Sequence, residues 1–197
     1  MSRQVGNRAP RFAFIGWNPF QIRHSSHVAR LLPNSVFLVE ARKKHPFAFE
    51  PEQLDGSLVP SMIWKRGQLS ELDGVFDVIV CQTVFPQIER CRQSKIAMLQ
   101  YGLAKEAHNY GTWRSLADLN LSYGSYSSRH LEHYGPVATV GNPAYDRWHA
   151  PDYHKRIKAR WSQKLDASRK TILYVPTWGD LSTANLFIDD VVKLAEE

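Results

Sequence analysis

Cysteine is scarce in this 197-residue chain, which has two, Cys81 and Cys91. Two thiols without metal-ligand spacing argue against a disulfide framework or a cysteine-rich metal site, and both read as reduced packing residues. Long apolar runs are missing as well. None approaches the ~20 residues that span a bilayer. The basic N-terminal residues have no apolar stretch of signal-peptide length behind them. Cytoplasmic placement is therefore the expectation. There is no Gly-x-x-x-x-Gly-Lys-Ser/Thr segment, so a P-loop kinase or ATPase is not indicated. There is no Gly-x-Ser-x-Gly segment, which removes the usual hydrolase elbow. Internal repeats and low-complexity tracts are also lacking.

Acidic residues are outnumbered. Nineteen Asp and Glu face 25 Lys and Arg, for a formal net charge of +6. That balance favours anionic partners such as nucleotides, sugar phosphates, nucleic acid or an anionic membrane surface. No nucleic-acid recognition motif accompanies the charge, so nucleic acid is not expected. Six Trp, eight Tyr and nine Phe supply enough apolar bulk to make disorder an unsuitable reading for most of the chain.

Short apolar runs alternate with helical patterns. Strands are expected over residues 11–17, 35–40, 76–81, 95–101, 118–123, 137–140 and 170–175, with a weaker edge strand at 61–64. Helices are expected over 27–32, 87–93, 127–133, 152–165 and 183–197. The charged, proline-containing stretch from 41 to 60 reads as loop. This alternation predicts an α/β fold with a mainly parallel sheet and helices on both faces. Ligands of such sheets bind beyond the carboxyl ends of the strands, near a topological switch point. Chemistry is therefore sought where the strands end.

Several residues stand at those ends. His24 and His27 lie in the first strand-to-helix connection, where backbone N–H groups favour phosphate. They also have the spacing of a metal pair, but no third ligand is evident and no metal is expected. Ser125, Ser127 and Ser128 precede a helix; they suit either an anion cradle or, for Ser127, a helix cap. Gly141-Asn-Pro-Ala-Tyr-Asp146 follows a strand. Gly141 supplies positive φ, Pro143 fixes the turn exit, and Asp146 caps the turn or bonds its backbone. Tyr153, Ile157, Trp161 and Leu165 recur every four residues among many Lys and Arg. That pattern fits a linker helix with its charged face in water, or a helix lying on an anionic membrane.

Three segments together resemble successive blocks of the CDP-glycerol glycerophosphotransferase family, whose members make teichoic-acid-like and capsule-like polymers. They are Tyr126-Ser-Ser-Arg-His-Leu131, Val137-Ala-Thr-Val-Gly-Asn-Pro-Ala-Tyr-Asp146 and Ile172-Leu-Tyr-Val-Pro-Thr-Trp178. The resemblance runs from about residue 95 to 180. It implies a two-domain glycosyltransferase-B architecture. A Rossmann-like acceptor-side domain would occupy residues 1–150 and a linker helix 151–169. Residues 170–197 would open an incomplete nucleotide-binding domain. It further implies transfer of a phospho-polyol from a CDP-linked donor to a hydroxyl acceptor, without a cofactor, with peripheral contact to the inner face of the membrane and self-association both left open.

The family has a Trp-His-Gly-Thr segment, whose His is the expected base, where this chain has Gln100-Tyr-Gly-Leu-Ala-Lys105. Tyr101 stands in the His position, Gly102 matches, and Lys105 follows. A phenol titrating near ~10 is a poor base at neutral pH. Tyr101 and nearby His108 are therefore the catalytic candidates. His24, His27, Gly102, Lys105, Ser127, Ser128, Gly141, Asn142 and Asp146 are the substrate-binding candidates. Two alternatives accompany this reading: an anion-binding member without turnover, and a nucleotide-sugar glycosyltransferase or 2-epimerase of the same architecture. A chain of this extent is expected to bind acceptor without turning it over. Apolar Ile172, Leu173, Leu186, Phe187 and Val191 would need cover.

Overall fold

The computed structural model describes residues 8–42, 59–103, 106–166, 168–176 and 182–196. Two compact units divide the chain, Met1–His149 and Ala150–Glu197.

In the first unit the apolar runs become strands β1 (Phe12–Gly16), β2 (Ser35–Ala41), β3 (Ser61–Lys65), β4 (Val78–Cys81), β5 (Lys95–Leu99), β6 (Leu119–Ser122) and β7 (Val137–Thr139). They form one sheet in the order β3-β2-β1-β4-β5-β6-β7. All six pairings are parallel. This is a Rossmann-like α/β sheet, and its order reverses between β1 and β4. That break is the switch point at which loops from opposite crossovers diverge and open a crevice.

Period-two alternation explains why these runs are apolar throughout, since a parallel sheet is covered on both faces. Ala13, Ile15, Val36, Leu38, Ile79 and Met98 bury one face with Leu69, Phe85 and Ile88. Those covering residues come from or adjoin the 3-10 turns Leu69–Leu72 and Ile88–Arg90. Phe14 and Phe37 bury the other face, packed edge to face with ring centroids 5.9 Å apart. Ile22 and Ala29 of helix α1 (Pro19–Leu31) cover them.

α1 is longer than the helix expected over 27–32. The reason is local: Asn18 is an N-cap whose side chain accepts from Gln21 N at 2.9 Å, and Pro19 takes the first helical position,. Gly16 lets this turn close. A Cβ there would stand 3.1 Å from Gln21 Cβ and 3.3 Å from Ile22 Cδ1. The helix expected over 87–93 is only the 3-10 turn Ile88–Arg90. α2 (Glu106–Asn109) and α3 (Ser125–Leu131) follow. α3 starts after Gly124 with no side-chain cap, so Ser127 is not the cap. The 3-10 turn Pro143–His149 packs against α1. The loop expected between 41 and 60 lies largely outside the described residues.

The second unit contains α4 (Tyr153–Ser162) and α5 (Ala184–Glu196), and neither has a buried residue. The strand expected over 170–175 does not form; these residues are irregular. A strand needs a neighbour to satisfy its N–H and C=O groups, and the described residues of this unit contain no other strand. Among the described residues, no helix is long and apolar enough to cross a membrane.

Candidate functional site

Three strands of the sheet hand their chains to polar residues at the carboxyl edge. Gln82 follows β4, Gln100 follows β5 and Tyr123 follows β6. All three turn inward. Gln82 and Gln100 are 2% and 0% exposed. The Gln82 amide nitrogen donates to Gln100 O at 3.2 Å and to His24 Nδ1 at 2.8 Å. The Gln100 side chain accepts from Tyr123 N at 2.9 Å and donates to Gly102 O at 2.7 Å. The Tyr123 hydroxyl lies 3.2 Å from His24 Nδ1. α1 thus delivers His24 to the ends of β4, β5 and β6, beside the switch point.

This geometry assigns the imidazole tautomer. Gln100 O only accepts, so the Gln82 atom facing it is the amide nitrogen. That nitrogen also faces His24 Nδ1, which must then be the accepting ring atom, with the proton on Nε2. A second proton on Nδ1 would oppose the Gln82 N–H. His24 titrates below its usual value, chiefly because burial penalises the imidazolium and secondarily because of the Arg147 charge. The result is a neutral imidazole held as an N–H donor. Burial raises the Tyr123 phenol well above its ordinary range, against smaller opposing effects of Gln82 and Arg114.

The loop after β5 is pinned from beneath. Asn109 Oδ1 accepts from Tyr101 N at 3.0 Å and Gly102 N at 3.3 Å, and its amide donates to Gly102 O at 2.6 Å. Arg114, fully buried, donates to Asn109 O at 2.8 Å and Met98 O at 3.0 Å. No carboxylate pairs with it among the described residues, and its Nη2 atom has no hydrogen-bond partner. Burial pulls its pKa down to about 10, which leaves a guanidinium cation under the loop at neutral pH.

The sequence candidates divide accordingly. The Phe20 ring bridges two of them, 4.2 Å from His24 and 6.0 Å from Tyr101 between ring centroids. Gly102 shares their loop, and a Cβ there would meet nothing within 4 Å. His27 is half-buried one turn along α1. No metal-binding group of His, Cys, Asp or Glu occurs among the described residues. His108 is exposed on α2, and Lys105 lies outside the described residues. Ser127 and Ser128 spend their hydroxyls inside the fold: Ser127 meets Tyr110 Oη at 2.9 Å, and Ser128 meets Ser122 and Thr139 hydroxyls, each at 2.6 Å. Gly141 takes φ +78°. Asn142 closes the turn after it, with Oδ1 accepting from Ala144 N at 3.0 Å. Asp146 is exposed in the same turn.

Gln82, Gln100 and Tyr123 lie at the strand ends where chemistry was expected but were given no role from sequence, and Asn109 and Arg114 were not among the candidates. One signal was present, a glutamine directly after each of two apolar strands. Two cavities, of about 310 and 240 Å3, lie instead at the amino edge, beside Arg11 and Val36 and beside Ser35 and Pro60 respectively. The concentration of inward polar groups, rather than cavity size, identifies the carboxyl edge as the candidate site. No family model matches the chain, and neither does a curated protein or a solved structure.

Proposed function

We propose that Met1–His149 is the acceptor side of a CDP-glycerol glycerophosphotransferase-like protein, which moves a phospho-polyol from a CDP-linked donor to a hydroxyl acceptor in cell-surface polymer synthesis. The supporting observation is the His24 network at the switch point of a Rossmann-like sheet. Phosphate oxygens are acceptors. A neutral imidazole Nε2–H is suited to them. Arg114 adds an uncompensated cation beneath Tyr101 and Gly102, which favours negative charge on the ligand. The role this gives His24 is to donate a hydrogen bond and orient a phosphate, while Tyr101 lines the acceptor. The basic residues of α4, including Lys155, Arg156 and Lys158, fit an acceptor held at an anionic membrane surface.

The His24 tautomer favours a second reading, an anion-binding protein without turnover, because an imidazole whose Nε2 carries the proton is not poised as a base there. The two readings separate in one experiment. CDP-glycerol and sn-glycerol 3-phosphate are titrated calorimetrically into the protein and its His24→Phe variant, and CMP release from CDP-glycerol is followed in parallel. Saturable binding weakened about tenfold or more by His24→Phe, together with CMP release, supports transfer. The same binding without CMP release supports the second reading. Binding indifferent to His24→Phe rejects this site for either.

A further inference from the structure

We propose that Glu40 and Trp64 form a hydroxyl-binding subsite at the carboxyl ends of β2 and β3, which takes an alcohol group of a polyol or a ribose. Glu40 is 1% exposed. Its Oε1 pairs with Arg42 Nε and lies 3.9 Å from Arg66 Nε. The Arg42 guanidinium in turn sits 4.3 Å from the centre of the Trp17 ring. Oε2 of Glu40 is buried and has no hydrogen-bond partner among the described residues. Trp64 is the residue opposite Glu40 in the β2–β3 register, and its Nε1 is likewise buried and unpartnered. Residues paired across neighbouring strands project to the same face, with the strands about 5 Å apart. One acceptor and one donor, each without a partner, therefore stand on adjacent strands at the edge where ligands of such sheets bind.

The pair selects its ligand chemically. A group that serves both atoms must give a proton to a carboxylate while accepting one from an indole N–H. A hydroxyl does both. A phosphate is repelled by the carboxylate, and an ammonium has no lone pair for the indole. Access is from the side of the sheet: β3 is an edge strand, Met62 and Ile63 are exposed, and Trp64 is half-buried. The subsite lies across β1 from Gln82 and rests on observations separate from the His24 network.

The test follows the Trp64 indole N–H by NMR in 15N-tryptophan-labelled full-length protein, with Trp64→Phe assigning the signal. The probes are sn-glycerol 3-phosphate, CMP and inorganic phosphate. A saturable shift with glycerol 3-phosphate, or with CMP alone, is the expected result; the first assigns the alcohol to a polyol and the second to ribose. Glu40→Gln presents an amide N–H in place of Oε2 and should weaken that response about tenfold or more. If Glu40→Gln does not fold, calorimetry of the active probe on Trp64→Phe, which removes the indole donor and keeps an aromatic ring in that position, decides with the same expected loss. Silence with every probe, a response to inorganic phosphate alone, or unchanged affinity in the variants overturns the subsite. Because the readout is Trp64 and not CMP release, its failure is distinct from failure of the transfer reading.

Discussion

Phenylalanine occurs in both units with different consequences. In Met1–His149, Phe37 is 0% exposed and meets Phe14 across β1 and β2. In Ala150–Glu197, Phe187 is 50% exposed on α5, alongside exposed Leu186, Ile188 and Val192. α5 has a more pronounced apolar stripe than α1, but none of its residues is buried. α1, with a weaker stripe, buries Ile22 and Ala29 against the sheet. Periodicity orients a helix; only a facing layer turns the stripe into stability.

The largest expected effect tests that contrast directly. Phe37→Ala should cost about 3–5 kcal/mol, the loss of a buried aromatic plus its cavity. Phe187→Ala should stay within about 0.5 kcal/mol, as for a surface site. Urea denaturation of the two variants measures both. A comparable cost at Phe187 would break the comparison and show that the α5 face is covered in solution.

Within the first unit, polar residues hold as much as apolar ones. Arg114→Met should cost about 2–4 kcal/mol, because Met98 O and Asn109 O lose their donor in a buried setting,. Arg114→Lys should not restore it, since one ammonium cannot reproduce the planar fork. The same denaturation measurement reads both variants. Full stability of Arg114→Met would mean that Asn109 and Gln100 hold the loop after β5 without it.

A smaller effect concerns the site. His24 is held below its usual pKa of 6.5 in the fold, chiefly by burial. Since the unfolded chain takes the proton first, this contribution to stability is complete above about pH 6.5 and declines as pH falls toward the folded value. Gln82→Glu replaces the N–H facing Nδ1 with a carboxylate. His24 should then titrate about one unit or more higher, with its proton moved to Nδ1. Ring 15N shifts against pH check both. An unmoved tautomer would overturn the assignment made from Gln100 O.

The sheet was legible because each strand is a short apolar run ended by a polar or turn residue, and parallel sheets buried on both faces require that pattern. The edge-strand reading at 61–64 and the switch-point search followed from the same alternation. What stayed hidden depends on contacts between distant residues. His24 is 58 positions from Gln82 and 99 from Tyr123, and no local pattern announces that they meet. Arg114 reads in sequence as an ordinary basic residue, yet it is the largest fully buried side chain among the described residues. Ser127 and Ser128 were legible as hydroxyls at a helix start, but not as groups already committed to Tyr110, Ser122 and Thr139. The strand expected at 170–175 failed for the converse reason: the local pattern was present, but the described residues of that unit supply no partner strand.

The smallest effect uses one motif, a carboxylate binding backbone N–H groups, in each unit. Asp73 accepts from the N–H groups of Arg92, Gln93 and Ser94 at 2.8–2.9 Å, tying together residues about twenty apart. Burial pushes its carboxyl up, but the bonds from Ser94, Arg92 and Gln93 outweigh this and hold it below its ordinary value. Asp166 accepts from Ser168 Oγ at 2.6 Å and Ser168 N at 2.9 Å, only two residues away, and its side-chain bond to Ser168 leads in holding it low. A carboxyl depressed in the fold contributes stability above its unfolded pKa and loses it as pH falls through the folded one. For Asp73 that window lies below pH 3.8. Asp73→Asn should therefore flatten the acid end of the stability profile of the first unit, at a neutral-pH cost below about 1 kcal/mol for a partly solvated group. Asp166→Asn should leave the acid midpoint where it is, because its bonds close a local turn that forms without the fold. Acid titration followed by circular dichroism separates the two; equal shifts would mean that the turn at Asp166 is coupled to cooperative unfolding.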